Sequence, residues 1–138
     1  MKIFLDANLL IYLNMLTGRQ REKLDEFYTS LLKDELYTNL LVVDETLYLS
    51  MSKYNVSYQV TFEFLKASIL PFTTVIPIED SDMAAMERYL SKYRIKPSDA
   101  VHLAVMEKEG VVNIASEDEE FDKVKEVKRL WLTRPRGL

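Results

Sequence analysis

The sequence predicts an α/β fold whose central sheet is mainly parallel, has about four to five strands and is flanked by helices. Short apolar runs alternate along the chain with helix-like stretches, which is the pattern of strands joined by crossover helices. The chain has 138 residues, 48% of them hydrophobic, and shows no repeat, linker or low-complexity tract. We therefore expect residues 1–138 to form a single domain with its own core.

The first half of the chain is predicted to hold one strand followed by four helices. The strand covers about residues 2–5, and Gly18 separates the first two helices. Asn39 and Ser57 are suited to cap the third and fourth helices, because their side-chain oxygens can accept from exposed N–H groups. Pro71 must end the fourth. These helices are predicted at about residues 8–16, 21–34, 39–54 and 57–70.

The second half is predicted to hold three further strands alternating with three helices. The middle helix is expected to be capped by Ser98 and stopped by Gly110. The strands are predicted at about residues 73–78, 111–115 and 129–132, and the helices at about 81–93, 98–108 and 119–125.

The composition limits the kinds of site and location that are possible. Cysteine is absent, which excludes disulfides, thiolate metal sites and a cysteine nucleophile. The apolar start is too short for a secretory signal, and no apolar run approaches the roughly 18 residues of a membrane span. We therefore expect a cytoplasmic protein with no membrane partner. The net charge of −4 argues weakly against a nucleic-acid coat protein, but it does not exclude a nuclease.

Three acidic residues stand where an apolar run gives way to a helix-like stretch: Asp6, Asp99 and Asp118. Ligands of open α/β sheets collect beyond the carboxyl ends of the strands, so acids delivered there can converge on a hard cation. A fourth acid, Asp44 or Glu45, lies within an apolar helical run and needs a partner if it is buried. The pattern alone does not choose between these two.

Each of these residues also has a simpler structural explanation. Asp6, Asp99 and Asp118 stand where acids are favoured at helix N-termini, and Ser116 with Glu119 could form a capping box. Capping alone, however, predicts no preference for junctions between strands and helices, and no acid inside an apolar run.

One histidine, one asparagine and a set of basic residues are further candidates for a role near such a site. His102, the only histidine, is expected to pack in the core or beside the site rather than to act as ligand or base. Asn8 is expected to orient the carboxylate of Asp6 or a metal-bound water, although it could cap a helix instead. The basic residues near Asp99 and near the C-terminus are candidate phosphate contacts or a solvated basic face. They are Lys92, Arg94, Lys96, Lys128, Arg129, Arg134 and Arg136.

At these positions the chain resembles the PIN-domain family, and within it the VapC-type toxin ribonucleases of type II toxin–antitoxin systems. Four segments carry the resemblance, in the order of the family's motifs and over essentially the whole chain. They are FLDANLLIY at residues 4–12, VDETL at 43–47, SDAVHLA at 98–104 and SEDEEFD at 116–122.

The resemblance implies a three-layer PIN-like fold and roles for particular residues. It selects Glu45 over Asp44 and implies that four carboxylates form the catalytic metal centre: Asp6, Glu45, Asp99 and Asp118. It places Ser116 beside the site and Glu120 where the family usually has Asp, so the charge is kept on a longer arm. Asn8, Ser116 and Glu120 are expected to be auxiliary. Arg94 and Lys96, from their position just before Asp99, are expected to contact RNA phosphates.

The same resemblance implies a metal-dependent endoribonuclease with one or two Mg²⁺ or Mn²⁺ ions per site. Such ions are typically held by few carboxylates, several waters and the phosphates of the substrate. The implied partners are an RNA substrate, a cognate antitoxin and a second copy of the chain, with the apolar, Tyr-rich residues 48–70 as the dimer surface.

Three alternatives remain open at this point. A housekeeping RNA-processing PIN nuclease is the nearest, and a non-catalytic PIN-like module that binds RNA or protein belongs to another class. A phosphotransfer protein would also carry a strand-end Asp, but Asp6 is not followed two residues later by the second Asp of such phosphatases.

Overall fold

The computed structural model describes residues 1–132 and has a five-stranded sheet at its centre. The spatial order of the strands is β3-β2-β1-β4-β5, and every pairing is parallel. The strands are β1 (Lys2–Leu5), β2 (Glu35–Asn39), β3 (Thr73–Ile76), β4 (Asn113–Ala115) and β5 (Lys128–Leu130). The predicted α/β class and the predicted number of strands are confirmed.

Six α-helices and three short 3-10 segments flank the sheet within residues 1–132. The helices are α1 (Ala7–Met15), α2 (Gly18–Leu31), α3 (Leu40–Tyr54), α4 (Tyr58–Ser68), α5 (Met83–Lys92) and α6 (Pro97–Glu109). The 3-10 segments are Leu70–Phe72, Asp80–Asp82 and Glu119–Lys123. None of the helices in this part of the chain is both long enough and apolar enough to cross a bilayer.

Strand β1 lies at the centre of the sheet and of the core. Ile3, Phe4 and Leu5 are fully buried, as expected for a parallel strand covered by helices on both faces. The chain runs from β1 to β2 and β3 on one side, and it returns to place β4 and β5 on the other. The order of strands therefore reverses between β1 and β4, and ligands of such sheets bind at this point beyond the carboxyl ends.

Several predicted helix boundaries are confirmed by their capping contacts. Asn39 Oδ1 accepts from the backbone N–H of Val42 at 2.9 Å at the start of α3, and Ser57 Oγ accepts from Val60 N–H at 3.2 Å at the start of α4. Gly110 ends α6 in the left-handed region at φ 70°, where a side chain would be strained.

Other boundaries correct the sequence predictions. Strand β2 was not predicted, and α2 both begins and ends three residues earlier than predicted. Ser98 does not cap α6, because Pro97 is already its first residue and Lys96 precedes it. Proline suits that position because its fixed φ is helical and the missing N–H would be unpaired anyway. The last predicted helix is the 3-10 segment Glu119–Lys123.

Candidate functional site

Asp6 follows β1 directly and begins the candidate site. Its Oδ1 accepts from the backbone N–H of Ala7 at 2.9 Å, so the residue does cap α1. Its Oδ2 accepts from Ser116 Oγ at 2.6 Å. The residue is 6% exposed, and burial raises the pKa of its carboxyl, although the hydrogen bonds from Ser116 and Ala7 act in the opposite direction. Capping and membership of the site are therefore compatible roles for this residue.

Ser116 connects the carboxyl ends of β1 and β4. Its hydroxyl donates to Asp6 and accepts from Asn8 Nδ2 at 3.1 Å and from the backbone N–H of Asp118 at 3.0 Å. One donor and two acceptor positions are thus all used. Asn8 Oδ1 in turn accepts from the N–H of Glu117 at 3.0 Å. The loop after β4 is held against the start of α1 by these bonds.

The Ser116–Glu119 capping box considered from the sequence does not form. Asp118 instead precedes the 3-10 segment Glu119–Lys123, and its Oδ1 accepts from the N–H of Glu120 at 2.9 Å. Asp118 therefore combines a capping contact with a place beside Asp6 and Asp99, as Asp6 does at α1.

Asp99 lies in the first turn of α6 and is 6% exposed. Burial raises the pKa of its carboxyl to about 6, and the charges of Asp6 and Asp118 act in the same direction. Like charges shift each other's pKa only when they are close, so the three carboxyls share one electrostatic environment. This environment favours protonation or a bound cation.

The structure distinguishes Glu45 from Asp44. The Glu45 side chain is 26% exposed and its Oε1 lies 2.8 Å from Nε2 of His102, whereas Asp44 points to the exposed side of α3. His102 is fully buried, and its Nδ1 lies 3.0 Å from Nδ2 of Asn39. The expectation that His102 packs beside the site is therefore met, with two specific hydrogen bonds.

One pocket at the carboxyl edge of the sheet is lined by all four predicted carboxylates. Its lining residues are Asp6, Ala7, Asn8, Ile11, Tyr12, Glu45, Leu49, Lys53, Tyr54, Lys96, Asp99 and Asp118.

Within residues 1–132, no three acidic or histidine side chains lie close enough together to bind a metal ion in their present conformations. Asp6 is instead bonded to Ser116, and Glu45 to His102. The donor set nevertheless fits Mg²⁺, because it consists of carboxylate oxygens and Mg²⁺ keeps most of its waters while binding one or two carboxylates.

The sequence analysis missed Lys53, Tyr54 and Tyr12 as lining residues of this pocket. Lys53 could have been found from its spacing, because Glu45, Leu49 and Lys53 follow one another at four-residue intervals on one face of α3. Tyr12 donates to Glu117 Oε1 at 2.6 Å, and burial, together with this carboxylate, raises the pKa of its phenol. An aromatic and cationic rim thus borders the acidic floor.

The remaining predicted auxiliary residues lie outside this pocket or at its edge. Lys96 lines the pocket and also an adjoining shallow one, together with Arg94, Asp99 and Glu120. Glu120 is exposed and forms an ion pair with Lys123. Glu120 therefore lines the adjoining shallow pocket and not the carboxylate pocket.

Two other candidate phosphate contacts have different partners. Lys92 binds Glu126 at 3.0 Å. Arg129 is 6% exposed; its Nε donates to Asp122 at 3.0 Å and its Nη1 to the carbonyl of Ser116 at 3.2 Å. Arg129 is thus a buried structural residue, which corrects its assignment as a candidate phosphate contact. Arg134 and Arg136 lie outside the described residues.

Comparisons with known proteins agree with this fold. A family model described as PIN domain matches residues 3–127. No curated protein matches the chain by sequence.

Solved structures with the same fold include toxins and toxin–antitoxin complexes. VapC20 of Mycobacterium tuberculosis, described as a toxin that cleaves the sarcin-ricin loop, is 17% identical with a TM-score of 0.72, over 89% of this chain and 95% of that one. VapBC2 of Rickettsia felis, bound to a promoter DNA fragment, is 13% identical with a TM-score of 0.72, over 95% and 98%. FitAcB of Neisseria gonorrhoeae is 20% identical with a TM-score of 0.73, over 96% and 99%.

Proposed function

The chain belongs to the PIN-domain family, and on that basis we propose that it is a metal-dependent endoribonuclease and the toxin of a VapBC-type toxin–antitoxin pair. One observation carries the nuclease part of the proposal. Asp6, Glu45, Asp99 and Asp118 come from four separate segments of the chain and line one pocket at the point where the order of strands reverses.

Asp6, Glu45, Asp99 and Asp118 are the residues that would hold one or two Mg²⁺ or Mn²⁺ ions. A bound ion of this kind lowers the pKa of its water and stabilises charge on the oxygens of a phosphodiester. The chain itself contributes the placement of the carboxylates. Ser116 and the N–H of Ala7 fix both oxygens of Asp6, and the first turn of α6 brings Asp99 beside it.

The rim of the pocket suits a single-stranded nucleic acid. Lys53 and Lys96 offer cationic contacts to phosphates, and Tyr12 and Tyr54 offer aromatic faces on which an unpaired base can stack. Sequence-specific recognition of RNA generally targets such unpaired loops. VapC20, which has the same fold, is described as cleaving an RNA loop, and this supports RNA as the substrate here.

The nuclease proposal is tested by a matched pair of neighbouring substitutions. Glu45→Gln should abolish cleavage of single-stranded RNA in Mn²⁺ or Mg²⁺, because it removes a formal charge from the pocket. Asp44→Asn should leave cleavage at the wild-type rate, because Asp44 is exposed and does not line the pocket. Full activity of Glu45→Gln, or full activity of the wild type in excess EDTA, would refute the proposal.

The toxin assignment rests on partners. Structures with this fold are described as a VapBC complex, a FitAB complex bound to DNA and a toxin–antitoxin complex. We infer a cognate antitoxin that delivers an Arg or Lys into the acidic pocket, where a guanidinium can pair with two carboxylate oxygens. Leu49, which follows Glu45 by one turn of α3 and lines the pocket, offers an apolar contact for the same partner.

Expression of the wild type alone should slow growth, and coexpression of an adjacent small gene should restore it. Asp6→Asn should be harmless without any partner. A wild type that is harmless in its native host and binds no neighbouring gene product would favour the housekeeping RNA-processing nuclease instead.

We also infer that the protein forms a homodimer through the end of α3 and through α4. This region exposes several large apolar side chains that are close together in sequence, and exposed apolar surface is more common at interfaces than elsewhere. The exposed residues are Tyr48, Met51, Tyr54, Tyr58, Val60 and Phe62. Light scattering should give the mass of two chains, and Phe62→Glu should give the mass of one.

A further inference from the structure

A buried chain of hydrogen bonds ends at Glu45 and starts at the carboxyl end of β2. Asn39, the last residue of β2, lies with its Nδ2 3.0 Å from Nδ1 of His102. His102, on α6, lies with its Nε2 2.8 Å from Oε1 of Glu45, on α3. Asn39 and His102 are both fully buried, so water does not compete for these bonds.

The capping role of Asn39 determines which group is the donor in each of these hydrogen bonds. Its Oδ1 accepts from the N–H of Val42 at 2.9 Å, so its amide nitrogen must face the imidazole of His102. The amide nitrogen can donate but cannot accept, so Nδ1 of His102 must be the acceptor. In this tautomer the proton of the ring is on Nε2, from which it is donated to the carboxylate of Glu45.

The same geometry argues against a direct role of His102 as a metal ligand or base. Its Nδ1 lone pair is taken by Asn39, and its Nε2 carries the proton that Glu45 accepts. Both ring nitrogens are therefore in use, and the ring packs against Phe4 with centroids 5.3 Å apart. What His102 can do is hold one oxygen of Glu45 inward while the other remains for the pocket.

We propose that His102 is a positioning residue that holds the Glu45 carboxylate for divalent-metal binding, with Asn39 setting the tautomer of the ring. The proposal rests on the metal site of the proposed function. It deepens that function by naming two residues outside the carboxylate set on which the affinity for the ion depends. Groups that orient the ligands of a metal typically contribute about 10- to 100-fold to affinity.

The tautomer can be read directly by nitrogen NMR of the imidazole ring. His102 is the only histidine, so its two ring nitrogens need no assignment against other residues. The wild type should show a protonated Nε2 and an unprotonated Nδ1. Asn39→Asp should keep the cap of α3, since Asp caps as well as Asn, but its carboxylate should draw a proton onto Nδ1. A protonated Nδ1 in the wild type, or an unprotonated one in Asn39→Asp, would overturn the role of Asn39.

The effect on the ion is measured by calorimetric titration of the protein with Mn²⁺ in the absence of RNA. His102→Leu keeps an apolar side chain in the core but removes the donor, and it should weaken Mn²⁺ binding by about 10- to 100-fold. His102→Gln offers an amide N–H near the position of Nε2 and should restore most of the affinity. Thr61→Val is the matched control, because it removes a buried hydrogen bond, from Asn14 at 2.9 Å, away from the pocket. It should bind Mn²⁺ as the wild type does.

A double substitution separates positioning from a general effect on the fold. Once Glu45→Gln has removed the carboxylate, adding His102→Leu should cost little further affinity, because residues that act through one another are not additive. Equal losses in both backgrounds, or wild-type affinity in a folded His102→Leu, would overturn the proposal. A wild type that binds no Mn²⁺ would do the same. If His102→Leu does not fold, His102→Asn replaces it, because the shorter Asn amide falls near the position of Nδ1 and offers no donor to Glu45.

A different result would refute the proposed ribonuclease function alone. A chain that binds Mn²⁺ through Glu45, loses the ion in His102→Leu and cleaves no RNA would refute the ribonuclease and leave this inference intact.

Discussion

Ser116 Oγ lies 2.6 Å from Oδ2 of Asp6, although the two residues are 110 positions apart in the chain. The bond joins the carboxyl ends of two adjacent parallel strands, β1 and β4, whose Leu5 and Ala115 are paired in register. The pocket therefore depends on one hydroxyl that also receives bonds from Asn8 and Asp118.

Ser116→Ala should destabilise the protein by about 1–3 kcal/mol, because it leaves buried partners of the hydroxyl unsatisfied. Ser50→Ala is the matched control. Ser50 Oγ is also buried but has no hydrogen-bond partner among the described residues, so its removal should be neutral or slightly stabilising. Urea unfolding of both variants measures the difference, and equal losses of stability would contradict the prediction.

Asp99→Asn should stabilise the metal-free protein, increasingly so as the pH rises. The folded pKa of about 6 lies above the ordinary value of 3.8, so the folded state holds more protons than the unfolded state between these values. The wild type therefore loses stability as the pH rises through this window, whereas Asn has no charge to bury. The difference should reach about 1–3 kcal/mol above the folded pKa and vanish below the unfolded one.

Urea unfolding in the absence of metal at about pH 4 and about pH 7 checks this prediction. Asp44→Asn serves as its control, because Asp44 is exposed and its substitution should change stability little at either pH. A stability difference between Asp99→Asn and the wild type that does not grow with pH would show that the Asp99 charge is already compensated.

Lys96→Gln should weaken the binding of single-stranded RNA and reduce its dependence on salt. Lys96 is exposed at the rim of the carboxylate pocket, and each phosphate contact contributes about 0.7 to the slope of log affinity against log salt for single strands. Fluorescence anisotropy in an Asp99→Asn background measures binding without cleavage. Lys92→Gln, whose lysine is held by Glu126, should keep the full slope. If Lys92→Gln reduced the slope and Lys96→Gln did not, the RNA phosphates would not bind at this rim of the pocket.

Arg129→Met should destabilise the protein by about 1–3 kcal/mol, because it removes the hydrogen bonds of a buried guanidinium to the exposed Asp122 and to the Ser116 carbonyl. Lys128→Gln is the control, since Lys128 is exposed and such surface substitutions change stability by about 0.5 kcal/mol or less. Urea unfolding distinguishes the two variants. A stable Arg129→Met that binds RNA weakly would restore Arg129 as a phosphate contact.

Much of the fold could be predicted because its signals are local. Asn39, Ser57 and Gly110 mark helix ends by their own chemistry, and the apolar runs of β1 and β4 stand out between polar neighbours. Strand β2 was missed because its sequence, ELYTN, is neither a continuous apolar run nor an alternating one, although four of its five residues are buried. Its place is set by parallel pairing with β1 and β3, which lie far away in sequence.

The candidate site was predictable to a similar extent. The acids at the strand ends could be named from position, but the choice of Glu45 over Asp44 needed the family resemblance or the direction of the side chains on α3. The sequence around Arg129 favours a phosphate contact or a solvated basic face, because it does not reveal that Asp122 is its partner across the loop. The spacing of residues predicts which face of a helix or strand each side chain occupies. It does not predict which faces contact each other, because that depends on how the sheet assembles.

The order of the strands also has a consequence for synthesis of the protein. Asp6 is made before the other carboxylates of the pocket, whereas Ser116 follows it by 110 positions and Asp118 is the last of the four carboxylates to leave the ribosome. A nascent chain that has reached only α6 has Asp6, Glu45 and Asp99 but lacks the loop that orders Asp6. Under the proposed function, a competent nuclease therefore forms beside the ribosome only after β4 and the loop that follows it have been translated.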